Sequence, residues 1–320
     1  MPLMTIVLAL FASVFIGISD YLGGIVSRTR SPLETSLVLF LATTVTLVPL
    51  AILIGASDLT VHDLGLGAVS GLTTSIAYVG FFTAIGRGRI SIVAPVSAAV
   101  TALLPAAVGI AQGNALSTIA RAGVLCALLA IPLVAYETED EDNAENGDGT
   151  ENEDSAENGN GTENEDSAGN RSGSDATAFA DRWSTNRQVL VSILCGVGFG
   201  FYFICIGHTH RSSGLWPTVA TLVVAIVVTI PIAARAGVMP KVASLSRLAV
   251  AGGLALGIAD AGLTTALQRG PLTVASVLGN LYPLVTIALG VTLLKERIRP
   301  WHTAGIVLAV AGVAMIAAGQ

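Results

Sequence analysis

Apolar residues in this chain come in blocks of about twenty, and the breaks between blocks are short and polar or rich in Gly and Pro. A membrane-spanning helix needs about 20 largely apolar residues. Ten windows meet that length: Leu3–Ile25, Thr35–Ile54, Leu64–Ile85, Ile90–Ile110, Ile119–Tyr136, Val189–His208, Leu215–Ala234, Leu248–Leu267, Leu272–Leu294 and Trp301–Ala318. The breaks carry turn or charge signals, as in Arg28-Thr29-Arg30-Ser31-Pro32, Gly86–Arg89, Arg211–Gly214 and Gln268–Pro271. Strands of a membrane barrel would be about ten residues long and would alternate in polarity, which these blocks do not. The pattern predicts an all-α integral membrane protein of ten transmembrane helices.

The blocks repeat at a fixed offset of 182 residues. Ala84-Ile85-Gly86-Arg87-Gly88 aligns with Ala266-Leu267-Gln268-Arg269-Gly270, and Val93-Ala94 with Ala275-Ser276. The register runs back through Gly80/Gly262, Ala77/Ala259 and Gly71/Gly253, and forward to Gly123/Gly305. A membrane protein built of two similar halves usually binds its solute at the seam between them.

Composition agrees with this reading: 52% of the 320 residues are hydrophobic and 12% are charged, against about 25% charged in a soluble domain. The net charge of −6 is an average over unlike parts, since residues 137–187 hold 16 of the 22 acids. Within that stretch ENGDGTENEDSA (145–156) is followed by ENGNGTENEDSA (157–168). So polar a segment has little apolar surface to offset chain entropy, and is expected to be a disordered acidic linker. An acidic segment in a chain with only Lys241 and Lys295 as lysines also fits a high-salt setting, or is a low-complexity insert and no more. The expected domains are a first repeat at 1–136, the linker at 137–187 and a second repeat at 188–320. Nothing in the body has a nucleic-acid footprint. Cys126, Cys195 and Cys205 lie in apolar runs and read as small core residues. The N-terminal run lacks a basic start and a small-residue cleavage site, and reads as a retained first helix.

Five helices on each side of the linker place similar halves in inverted orientation. In that arrangement 13 bases fall on the linker's face, while Arg121, Arg211 and Arg269 fall on the other. The positive-inside rule then puts the linker in the cytoplasm and both termini outside. On that reading Asn160-Gly161-Thr162 and Asn170-Arg171-Ser172 are not glycosylation acceptors.

The matched segments resemble the EamA-type repeat of the drug/metabolite transporter superfamily. The second half carries its pattern at Ala266, Leu267, Gly270, Val274-Ala275, Pro283, Glu296 and Gly305. The first half is degenerate, with Thr101 in place of Pro283 and Asn114 in place of Glu296, although Gly123 keeps its place. The resemblance covers both halves and leaves out the linker. It implies a carrier of two inverted five-helix repeats around a central cavity. It also implies cytoplasmic termini, opposite to the loop charges, and we follow the charges.

A charge inside a membrane helix costs a few kcal/mol or more and usually faces a cavity or a partner. Asp260 lies roughly 4 Å along the axis from the middle of its window, and is the first candidate for a cation or proton site. A structural bond to Thr264 or Thr265 is the alternative. Asp20 lies nearer its helix end, where it either joins the site or reaches the headgroups. Tyr78 stands opposite Asp260 at the repeat offset, and its ring and hydroxyl suit a cation. Asn280 and Tyr282 precede Pro283, whose missing N–H frees a carbonyl near Gly279. Packing roles are the alternative for Tyr78, Asn280 and Tyr282. Arg87 and Arg269 occupy equivalent loops and read as gate residues or flanking charges. His208 and His210 point about 200° apart on a helix and do not converge on a metal. Trp183, Trp216 and Trp301 mark helix ends, as interfacial tryptophans do. Glu296 lies among Lys295, Arg297 and Arg299, so an ion pair in the loop is favoured over substrate binding.

The helices offer no clustered nucleophile, acid–base or metal groups, so an enzyme is not expected, and neither a cofactor nor a bound metal is implied. No P-loop is present for ATP to drive the protein directly. The favoured function is a secondary transporter, exporting small organic metabolites or toxic compounds by alternating access, with protons as a candidate coupling ion. The alternative is a membrane sensor that signals through the acidic linker. Expected partners are a small-molecule substrate and the lipid bilayer, with a homodimer admitted and nucleic acid not.

Overall fold

The computed structural model describes residues 2–111, 183–240, 245–270, 272–293 and 300–318, with short stretches of 117–129. Its helices are α1 (Pro2–Ser27), α2 (Pro32–Ile54), α3 (Val61–Gly86), α4 (Ile90–Ala111), α5 (Thr185–Gly207), α6 (Trp216–Arg235), α7 (Arg247–Arg269), α8 (Leu272–Gly279), α9 (Tyr282–Leu293) and α10 (Pro300–Ala318). A 3-10 turn at Arg211–Ser213 joins α5 to α6. No strand occurs among the described residues. The expected window Ile119–Tyr136 and Glu296 lie wholly or mostly outside them, as does all of the linker up to residue 182. Helix α5 takes in Thr185, Asn186 and Arg187, which the pattern had assigned to the linker.

Six of these helices, α1, α2, α3, α5, α6 and α7, are long and apolar enough to cross a membrane. Their polarity is turned outside in. On α1 the exposed side chains include Leu3, Val7, Leu10 and Val14, a stripe at helical spacing, while Thr5, Ser13, Ser19 and Asp20 are buried. The same holds on α6, with Val223, Val227 and Ile230 outside and Thr218, Thr221 and Thr229 inside. Lipid solvates the apolar face at no cost, and buried hydroxyls satisfy themselves on the preceding turn. Thr229, for example, donates to the Ala225 carbonyl at 2.7 Å.

The packing follows the 182-residue offset. Helix α1 packs on α7 and on α8 and α9, while α5 packs on α3 and α4. Helix α2 packs on α7, as α6 packs on α3. Two glycines set the closeness of these crossings. A Cβ on Gly71 would lie 2.5 Å from the Thr221 carbonyl oxygen, and one on Gly253 would lie 2.6 Å from that of Leu39. Both the glycines and the carbonyls they meet are repeat equivalents, so the same contact is made twice.

One expected element is corrected. The window Leu272–Leu294 is two helices, α8 and α9, with a turn at Asn280 and Leu281. Pro283 has no N–H to give the Gly279 carbonyl, and the chain tightens there: Leu281 N–H donates to Leu278 at 3.2 Å and Leu284 N–H to Leu281 at 3.1 Å. In the first half Thr101 stands at the equivalent position and α4 is continuous. Its hydroxyl bonds the Ser97 carbonyl at 2.8 Å and reaches that of Gly196 on α5 at 3.2 Å.

Candidate functional site

A cavity of about 50 Å³ lies between the halves, lined from α1 to α7, the α8–α9 turn and the start of α9. It holds four of the expected site residues, Asp20, Tyr78, Asp260 and Asn280, together with Tyr282. A buried site for one water takes about 10–15 Å³ of such volume, so there is room for a few waters.

Asp20 on α1 and Asp260 on α7 are both buried, at 3% and 9% exposure. Asp20 therefore faces the cavity and does not reach the headgroups. Neither carboxylate has a hydrogen-bond or ion-pair partner among the described residues, and Asp260 is not bonded to Thr264 or Thr265. Thr265 donates to the Ala261 carbonyl instead, and the Thr264 hydroxyl pairs with Thr218 at 2.7 Å. Among the described residues no Lys, Arg or His lines the cavity. Three further polar atoms at its wall, Thr74 Oγ1, the Tyr202 hydroxyl oxygen and Asn280 Oδ1, are buried without a partner among the described residues. Asn280 Nδ2 donates to the Ser276 carbonyl at 2.7 Å, which leaves the oxygen as the free end. Buried polar groups are nearly always paired, with protein or with ordered water, so these atoms set the cavity apart from the rest of the buried surface.

Aromatic rings supply the rest of the wall. The Tyr78 ring meets Phe199 at 4.9 Å and Phe40 at 5.5 Å, both edge-on. Such contacts hold a ring face in a set orientation. The Tyr282 and Ser97 hydroxyls pair at 3.0 Å. Tyr202 and Phe203 pack edge to face at 5.8 Å, and both line the cavity.

Four pairs of cavity residues are related by the repeat offset: Asp20 with Tyr202, Phe40 with Leu222, Thr74 with Leu256, and Tyr78 with Asp260. Each carboxylate thus has a tyrosine as its counterpart in the other half. The sequence signal for Tyr202 was the offset from Asp20, the same signal that singled out Tyr78.

The expected loop residues lie elsewhere. Arg87 caps α3 with its guanidinium 5.5 Å from the centre of the Trp183 ring, and its carbonyl accepts from Trp183 N–H at 3.0 Å. Arg269 ends α7, where its carbonyl accepts from Arg211 at 3.0 Å. Pro283 is buried at the start of α9. His208 bonds its own helix, with Nδ1 2.7 Å from the Ile204 carbonyl.

Around Arg269 the α5–α6 loop makes a polar seam. Arg211 Nε donates to the Gln268 carbonyl at 2.8 Å, and Gln268 Nε2 donates to Thr209 Oγ1 and the Gly214 carbonyl, each at 2.9 Å. Ser57 N–H donates to the Ser212 carbonyl at 2.9 Å. Gly214 is required here, with φ at +55° and space for a Cβ taken by the Gly55 carbonyl at 2.5 Å. His210 and Ser213 reach α3, where Asp63 accepts from both.

No curated protein matches the chain. A solved crystal structure of a protein superposes with a TM-score of 0.60 at 15% identity, covering 96% of this chain and 94% of that one. Likeness at that identity concerns the fold alone. Residues 186–318 match the EamA-like transporter family, the stretch that holds Ala266, Gly270, Pro283 and Gly305. Six apolar helices and this match support a multi-pass membrane protein, residues 186–318 of which are similar to the EamA-like transporter family.

Proposed function

We propose that the chain is a secondary transporter that exports small organic cations, metabolites or toxic compounds, by alternating access. The observation that carries this reading is the pair of carboxylates, Asp20 and Asp260, that have no partner among the described residues, in an aromatic-walled cavity to which those residues bring no base. A cation entering between them would supply the missing charge, and the faces of Tyr78 and Tyr202 would stack on it. When no substrate is bound, protons would take its place on the carboxylates, which couples export to proton entry.

Two inverted five-helix repeats, at 1–136 and 188–320, would rock about this cavity while the acidic linker at 137–187 tethers them. The cavity's paired positions and the twice-made glycine contact support that arrangement. The loop charges support a cytoplasmic linker. Reaction of single cysteines placed at Ser155 and Ser57 with an impermeant thiol reagent in intact cells tests the sidedness. Labelling at position 57 but not at 155 is expected, and the reverse would place the linker outside.

Metabolite profiling of cells and medium, with wild type, Asp260→Asn and empty vector compared, tests the function. A cationic compound that moves outward with the wild type alone is expected. The same profile from wild type and Asp260→Asn would remove Asp260 from the site.

A further inference from the structure

At the start of α3 three metal-binding side chains converge outside the cavity. Asp63 Oδ1 lies 3.1 Å from His210 Nδ1 and 3.5 Å from His62 Nδ1, and ligand atoms of the three residues lie within 4.8 Å of one another. Asp63 is separated from Thr74, at the cavity wall, by about 16 Å along α3. We infer that His62, Asp63 and His210 form a binding site for a divalent transition-metal ion, one that ties the first half of the chain to the second.

The distances suit such an ion. Zinc bonds of about 2.0–2.1 Å in tetrahedral geometry place neighbouring ligand atoms about 3.3 Å apart. Both carboxylate-to-imidazole separations bracket that value, and only the two imidazoles need to draw together. Two imidazole nitrogens and one carboxylate oxygen select zinc, cobalt, nickel or copper over magnesium or calcium, which take oxygen. Both histidine side chains are 65% exposed, so the remaining coordination positions are open to water.

The carboxylate is already held in place. Ser213 Oγ donates to Asp63 Oδ2, and His210 N–H donates to Oδ1 at 3.3 Å. The Asp63 N–H bonds Thr60 Oγ1 at 3.1 Å, which fixes the first turn of α3 that carries both His62 and Asp63. Outer bonds of this kind orient a ligand before the ion arrives. Sequence spacing could not show the site, since His210 lies 147 residues from Asp63. His208, on the same loop, bonds its own helix and stays apart.

An ion at this position pins the α5–α6 loop to α3, and so restrains movement of one half against the other at that face. The test uses tag-free, full-length protein, stripped of metal, in detergent. Zinc binding is measured by calorimetry, and cobalt binding by visible absorption. One equivalent is expected to bind, with affinity reduced about tenfold or more in His62→Ala and in His210→Ala and unchanged in His208→Ala. Zinc is also expected to raise the melting temperature of wild type and not of His62→Ala. His210→Ala removes a bond to Asp63 and can disturb the loop, whereas His62 is mostly exposed and its variant keeps the fold. Absence of saturable binding to wild type, or equal affinity in wild type and His62→Ala, would reduce the three residues to a helix-capping network and overturn the site.

Discussion

Asp63 and Asp260 are both buried acids of an apolar protein, yet the fold treats them in opposite ways. Asp63, at 0% exposure, is surrounded by donors from Ser213, His210 and His62. Asp260, at 9%, faces a cavity and makes no hydrogen bond among the described residues, as does Asp20 at 3%. A carboxylate whose bonds are all made within the chain holds parts of the chain together. One whose bonds are left open has its charge available to something that comes and goes. The two acids differ in their partners and not in their burial.

The contrast breaks most visibly at Asp260. Asp260→Asn keeps the shape and removes the charge, and outward flux of a cationic substrate in proteoliposomes is expected to fall about tenfold or more. That matches the loss of one charge-assisted bond of ~1.5–3 kcal/mol. Its dependence on an imposed pH gradient should fall with it, while the melting temperature holds. A melting temperature that drops with flux unchanged would make Asp260 a second Asp63.

Asp63→Asn should show the reverse. The amide turns a donor toward Ser213 or His210, and the lost bonds are expected to destabilise the protein by about 1–3 kcal/mol, read as a lower melting temperature. Substrate affinity, measured at a temperature where the variant is folded, should stay as in wild type.

Asp20→Asn sharpens the comparison within the cavity. A loss of flux of about tenfold there, with stability kept, would show that the two carboxylates share one cation. A loss confined to substrates carrying two positive charges would assign one carboxylate to each. Tyr78→Phe is the smallest change. The ring face stays and only the hydroxyl goes, so a loss of about 0.5–1.5 kcal/mol in substrate affinity is expected if the hydroxyl bonds the substrate. Unchanged affinity would leave the ring alone in contact with the cation.

Much of the framework was legible along the chain. The windows for α1, α2, α3, α6 and α7 fell within a few residues of the helices, because lipid demands long apolar runs and leaves few ways to arrange them. Pro283 was visible as a local disturbance, but the pattern of apolar residues ran on through it, so one window covered two helices. The reason is that hydropathy reports the side chains, whereas the break concerns a backbone N–H that proline lacks. Asp20 was placed near a helix end by counting residues, and counting cannot say which way a side chain turns. His62 gave no signal at all, since only the fold brings His210 near to it and to its neighbour Asp63.

Sequence alone determined that this chain lives in a membrane, that its two halves repeat at one offset, and that Asp20 and Asp260 are the two acids set deep within apolar helices. Those properties are local or periodic, and each residue carries its share of them. Tertiary structure decided that Asp20, Tyr78, Tyr202, Asp260 and Asn280 face one another, and that His62, Asp63 and His210 meet at a rim. Convergence of that kind depends on how glycines such as Gly71 and Gly253 let helices cross, a relation between distant residues that neither residue expresses by itself.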